Sequence, residues 1–74
     1  MPGNDAILVE GRIVEARSAR LFRVELANGH RVLAHPVRRD AEKAARLAVG
    51  ELVKLEMSPF DMSKGRLLFR EFGL

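Results

Sequence analysis

Chemistry in this chain would have to come from two histidines, three serines, and the thirteen basic and ten acidic side chains. His30 and His35 are five apart on one predicted strand. An odd spacing on a strand sends two side chains to opposite faces, so the pair is a poor start for a metal site. No carboxylate completes a ligand trio with them at helical spacing, and they read as ordinary strand-end histidines. Ser18, Ser58 and Ser63 fall in predicted loops. None sits in a G-x-S-x-G elbow, and none has a candidate base to take its proton. The six glycines form neither of the phosphate-cradling patterns G-x-x-x-x-G-K or G-x-G-x-x-G. The absence of cysteine removes disulfides, thiolate metal sites and a thiol nucleophile, and suits a reducing compartment. The expectation is a protein with no catalytic residue, no metal ligand and no cofactor, and not an enzyme.

What remains is positive charge. Ten of the thirteen basic residues are arginine, and the formal net charge is +3. Arginine forks pair with phosphate oxygens and stack on bases, whereas lysine is a point charge. Three basic groups stand out. Arg38 and Arg39 enter a predicted helix, with Lys43 and Arg46 following at helical spacing. Lys64 and Arg66 flank Gly65 after Pro59, and Arg23 and Arg70 face outward on strands. Each group alone reads as solvated surface. Their joint placement on two loops and the outer strand faces favours a nucleic-acid partner. Phe22 and Phe69 are expected in the core, which leaves only Phe60 and Phe72 exposed, and no aromatic-rich RNP-like motif is present. RNA contact should therefore rest mainly on phosphates and shape.

The elements that position these groups are short. Residues 7–16 alternate, with Ile7, Val9 and Ile13 on one face and Glu10, Arg12 and Val14 on the other. Gly11 falls on the inward face, where glycine usually marks a bulge or a sharp bend. Residues 21–26 form a second strand, with Phe22, Val24 and Leu26 inward, and residues 31–35 a third. A two-residue Asn28-Gly29 turn would oppose Phe22 to His35 and Leu26 to Arg31, mixing core with surface. A three-residue loop with Gly29 left-handed pairs Val24 with Val32 and Phe22 with Ala34, and keeps each face consistent. Residues 40–48 read as a helix rich in alanine, with Asp40 as N-cap, Glu42 and Arg46 as an i,i+4 pair and Gly50 closing it. Residues 51–57 form a fourth strand with Val53, Leu55 and Met57 inward. Residues 58–65 read as a loop with Pro59 and Asp61 as turn formers. Residues 66–70 form the last strand, with Leu67 and Phe69 inward.

Three strands, a helix and two strands make an all-β chain with the element order of a five-stranded OB-fold barrel, its short helix between strands 3 and 4. An SH3-like barrel is the competitor, but it would not need that helix. With 74 residues the chain reads as one domain, 1–74, with residues 1–5 as a flexible end. A domain this small buries only about 60% of its unfolded surface, so marginal stability is expected. No apolar run approaches the roughly 20 residues of a membrane helix, and Met1-Pro2-Gly3-Asn4-Asp5 lacks the pattern of a signal peptide. A cytoplasmic location is expected.

Two stretches carry a resemblance. Leu21-Phe22-Arg23-Val24-Glu25-Leu26-Ala27-Asn28-Gly29-His30, followed by Ala34-His35, resembles bacterial translation initiation factor one. So does Ser58-Pro59-Phe60-Asp61-Met62-Ser63-Lys64-Gly65-Arg66-Leu67-Leu68-Phe69-Arg70. With Glu10-Gly11 and Gly50-Glu51 the match spans nearly the whole chain without a gap. The resemblance implies an OB-fold that docks at the aminoacyl site of the small ribosomal subunit. There it would contact the decoding region of 16S-type rRNA and a neighbouring ribosomal protein, block premature tRNA entry, and cooperate with initiation factors two and three. A monomer without membrane association is expected. RNA-contacting positions carried over from the family fall on Arg39, Arg46, Lys64, Arg66, Arg23 and Arg70. After Ala34-His35 the family typically runs Ser-Gly-Lys-Met-Arg-Lys-Asn-Tyr-Ile-Arg-Ile. Here only Arg39 and Arg46 keep their places, and the tyrosine is Ala44. The alternative is a non-ribosomal RNA-binding or RNA-chaperone OB-fold protein, and the third reading is a protein-interaction barrel without RNA.

Overall fold

Ile13, Phe22, Val24, Val32, Leu55 and Leu67 are sealed from solvent, and each is the inward member of an alternating run. Burying side chains of this size is worth about 1.5–3 kcal/mol each, and this sets which face of each strand turns inward. The computed structural model describes residues 6–69, so the expected flexible end at residues 1–5 and the basic site residue Arg70 lie outside the described residues. The strands are β1 (Ile7–Ser18), β2 (Leu21–Leu26), β3 (Arg31–His35), β4 (Leu52–Ser58) and β5 (Asp61–Leu68), with a short helix α1 (Ala41–Ala44) between β3 and β4. Their order around the closed barrel is β1-β2-β3-β5-β4. All neighbours are antiparallel except β3 and β5, which run parallel and close the barrel. This is the OB-fold expected from the element order. Among the described residues, no helix is long and apolar enough to cross a membrane.

The β2–β3 hairpin has the three-residue loop. Leu26 and His30 bracket it through the Leu26 N–H to His30 O bond of 2.8 Å, and Gly29 is left-handed at φ 85°. Val24 faces Val32 and Phe22 faces Ala34, the register that face consistency requires.

Three expectations are corrected. The first concerns β1, which runs two residues further than residue 16 and carries its bulges at Val14 and Arg17, not at Gly11. Gly11 sits in regular register with Leu26 on one side and Val53 on the other. It is glycine because two backbones approach closely there: a Cβ would lie 2.4 Å from Val24 Cγ1 and 2.9 Å from the Glu25 carbonyl oxygen.

The second correction is the helix. Residues 40–48 do not form one helix; Arg38–Asp40 is a 3-10 turn and α1 spans only four residues. Asp40 occupies the N-cap position without a side-chain cap, and among the described residues Glu42 and Arg46 form no ion pair. The chain is spent on docking instead. Gly50 N–H donates to Ile13 O at 2.8 Å, Ile13 N–H donates to Glu51 O at 2.9 Å, and Arg12 Nη1 reaches Gly50 O at 2.6 Å. Those bonds tether the segment to β1, which long helical continuation would prevent. Ala44 is the residue of α1 that enters the core.

The third is the expected loop at residues 58–65. Only Pro59 and Phe60 turn, and β5 begins at Asp61. Ser58 pairs with Asp61 and Met57 with Gly65, so residues 62–64 are extra against β4. They leave β4 as a three-residue bulge, and Lys64 joins β3 opposite Leu33. The turn-forming residues read from the sequence build this bulge.

Candidate nucleic-acid interface

The parallel β3–β5 ladder places His35 beside Arg66 and Leu33 beside Lys64. Side chains two apart on a strand share a face, so Lys64 and Arg66 project together from the outer surface of the barrel. Two open clefts meet at Arg66. One, of about 510 Å³, lies between the end of β3 and the β4–β5 turn, and His35, Phe60, Lys64 and Arg66 line it. The other, of about 480 Å³, lies between α1 and β5, where Arg39, Asp40 and Lys43 face Arg66 and Phe69.

Not every cation on this surface is available. Arg66 is ion-paired to Glu56, its antiparallel neighbour on β4. Among the described residues, Arg39, Lys43 and Lys64 meet no carboxylate at ion-pair distance.

The expected site residues therefore divide. Arg39, Lys64 and Arg66 converge on the two clefts. Arg23 continues the Lys64 row across Leu33, but the Val14 bulge brings Glu15 opposite it, and Arg23 Nε lies 3.3 Å from Glu15 Oε1. That contact is close enough for an ion pair, yet the buried Nε–H is not aligned on any acceptor. Arg46 is exposed just beyond α1 and lines neither cleft. His30, expected on the strand with His35, precedes β3, and its Nε2 lies 3.1 Å from the Met62 carbonyl oxygen.

Sequence reasoning left three of the residues lining these clefts out of the site. Lys43 carried a signal, its helical spacing from Arg39. Phe60 carried the signal of an exposed aromatic, but the place of Phe60 and His35 beside Lys64 depends on the β3–β5 pairing and on the bulge. Phe60 is 86% exposed.

The turn beneath Lys64 is held by side chains. Asp61 Oδ1 accepts the Ser63 hydroxyl at 2.6 Å and the Ser63 amide at 3.1 Å. The Ser63 hydroxyl first, then its amide, and to a lesser degree the Lys64 charge hold the Asp61 pKa below its ordinary value. A carboxylate depressed in the folded state stabilises it above the unfolded pKa, and that contribution is lost as pH falls through the lower, folded value. The Ser63 amide resonance should therefore titrate with a midpoint below that of an ordinary aspartate. A midpoint at or above the ordinary value would show that Asp61 does not anchor this turn.

No protein-family profile matches the chain. Among solved structures, the chain is similar to the solution structure of translation initiation factor one from the Wolbachia endosymbiont strain TRS of Brugia malayi. The TM-score is 0.72 and the identity 31%, over 97% of this chain and 85% of that one.

Proposed function

We propose that this chain, which belongs to the family of translation initiation factor one, acts in translation initiation by binding rRNA of the small ribosomal subunit at the aminoacyl site. The observation that carries the reading is the likeness in fold and sequence across almost the whole chain. The two clefts support it, because they gather Arg39, Lys43, Lys64 and Arg66 on one side of the barrel, as a phosphate-contacting surface requires. In this reading the bound protein occupies the decoding region beside a neighbouring ribosomal protein and bars tRNA from entering early. It works as a cytoplasmic monomer of one domain, together with initiation factors two and three.

Co-sedimentation with purified small subunits, followed by chemical footprinting of the decoding region, tests this. Pelleting with protection of that region is the expected result. Binding to free RNA without pelleting would favour a non-ribosomal RNA-binding role instead. Contact with four to six phosphates should make log affinity fall with log salt at a slope of roughly −3 to −5. A slope near zero would remove the basic clefts from the mechanism.

A further inference from the structure

Among the described residues, Glu56 is the one carboxylate bordering the cleft at the β4–β5 turn, and its partner Arg66 is the cation where the two clefts meet. A negative charge at that place works against phosphate binding. We infer that Glu56 is an internal competitor: its carboxylate holds the Arg66 guanidinium in the free protein, and an RNA phosphate has to displace it. This deepens the RNA-binding reading above and rests on it.

Strand register puts the two charges together. Glu56 lies opposite Arg66 on the β4–β5 ladder and opposite Leu8 on the β1–β4 ladder. Directly opposed side chains stand about 4.5–5.5 Å apart at Cβ. Leu8 carries no charge, so Arg66 is the cation that the ladders set directly against Glu56.

Burial makes the pair asymmetric. The Glu56 side chain is 24% exposed and that of Arg66 48%, whereas Glu15 and Glu25 in the other ion pairs are 53% and 40% exposed. The arginine has room to turn to a ligand while the carboxylate stays in the cleft wall. A partly buried charge is also less screened by salt than an open one.

Arg66 has a place that no other cation shares. Lys64 borders one cleft, Arg39 and Lys43 border the other, and Arg66 lines both. An RNA backbone that runs across the two clefts passes Arg66. Its guanidinium has five N–H donors, enough to reach a phosphate beside Glu56. The adjacent carboxylate nevertheless cancels its net charge and repels the phosphate it holds. Binding is thereby weaker, and easier to reverse, than the cations alone would make it.

The test uses the whole chain, a short oligouridylate and purified small subunits. Glu56→Gln keeps the shape of the side chain and removes its charge. It should tighten oligouridylate binding about threefold to tenfold, chiefly by slowing dissociation. It should also steepen the fall of log affinity with log salt by about 0.7, because Arg66 then neutralises one more phosphate of a single strand. Glu56→Ala should tighten binding to a similar degree. Glu25→Gln removes the same charge from the Arg31 pair, which borders neither cleft, and should change affinity less than about twofold.

Weaker binding by either Glu56 variant would make the carboxylate a positioning residue for Arg66 and overturn the inference. Unchanged affinity or an unchanged salt slope would do the same. An equal gain in Glu25→Gln would assign the effect to net charge, which also overturns it. Pelleting with small subunits separates this role from the broader reading. If the unaltered protein pellets and Glu56→Gln binds oligouridylate no tighter, the initiation role stands and the competitor fails. If Glu56→Gln gains on oligouridylate while neither protein pellets, the competitor stands and the initiation role fails. A protein that binds neither RNA nor subunits would overturn both.

Discussion

Gly11→Ala should destabilise the barrel by about 2–3 kcal/mol, the upper range for forcing an extra methyl into a packed interior. The added Cβ would lie 2.4 Å from Val24 Cγ1, 2.9 Å from the Glu25 carbonyl oxygen and 3.1 Å from Leu26 Cδ2. Val24 is itself fully buried, so its methyl has nowhere to retreat. The carbonyl belongs to β2, hydrogen-bonded on both sides, so relief requires β1 and β2 to separate. In a domain of this size each kcal/mol moves the melting temperature by about 4–8 °C, so thermal unfolding by circular dichroism should shift down by roughly 10–20 °C. Gly65→Ala is the control. Its Cβ would meet Met57 Cγ at 3.3 Å and Leu55 Cδ1 at 3.4 Å, side-chain contacts that a shift of a few tenths of an ångström relieves without moving backbone. That change should cost less than about 1 kcal/mol. Equal losses at the two glycines would mean that close backbone approach is not what Gly11 provides.

The largest functional effect is expected from removing Lys64 and Arg66 together. Hydrogen bonds to charged groups are worth about 1.5–3 kcal/mol each, and 1.4 kcal/mol is tenfold in affinity. Loss of both contacts should weaken small-subunit binding on the order of 100-fold. Arg66→Ala also frees the Glu56 carboxylate, which would then repel phosphate from within the cleft. Stability should barely change, because both side chains are exposed and a surface ion pair such as Arg66–Glu56 is worth about 0–1 kcal/mol. The charge-matched comparison is Arg17→Ala with Arg31→Ala. Those arginines are exposed, ion-paired to Glu15 and Glu25, and border neither cleft. Their loss should change affinity less than about threefold. If both double variants lose affinity equally, net charge and not the cleft governs binding. A sharp fall in melting temperature with affinity intact would make Lys64 and Arg66 structural.

What the amino-acid sequence determined by itself is what short-range physics controls. Alternation over six residues placed Phe22 and Val24 inward, and only a three-residue loop at Ala27-Asn28-Gly29 let β3 present Val32 and Ala34 to the same side. Both facts follow from a period of two and a left-handed glycine. The basic residue types were equally plain, and Lys64 and Arg66 were readable as outward cations flanking Gly65, though with Lys64 in a loop; their shared strand face came from the β3–β5 ladder. Tertiary structure decided what depends on distant partners. The parallel pairing of His35 with Arg66 joins segments that no local pattern relates, and together with the bulge at residues 62–64 it makes His35, Phe60 and Lys64 walls of one cleft. The bulge at Val14 moves Glu15 opposite Arg23, drawing that arginine's charge into an ion pair. Helix propensity favoured residues 40–48, but a four-residue helix won because Gly50 and Glu51 must reach Ile13 to hydrogen-bond with β1. Propensity there is worth a few tenths of a kcal/mol per residue, less than leaving those backbone groups of Ile13 buried without partners.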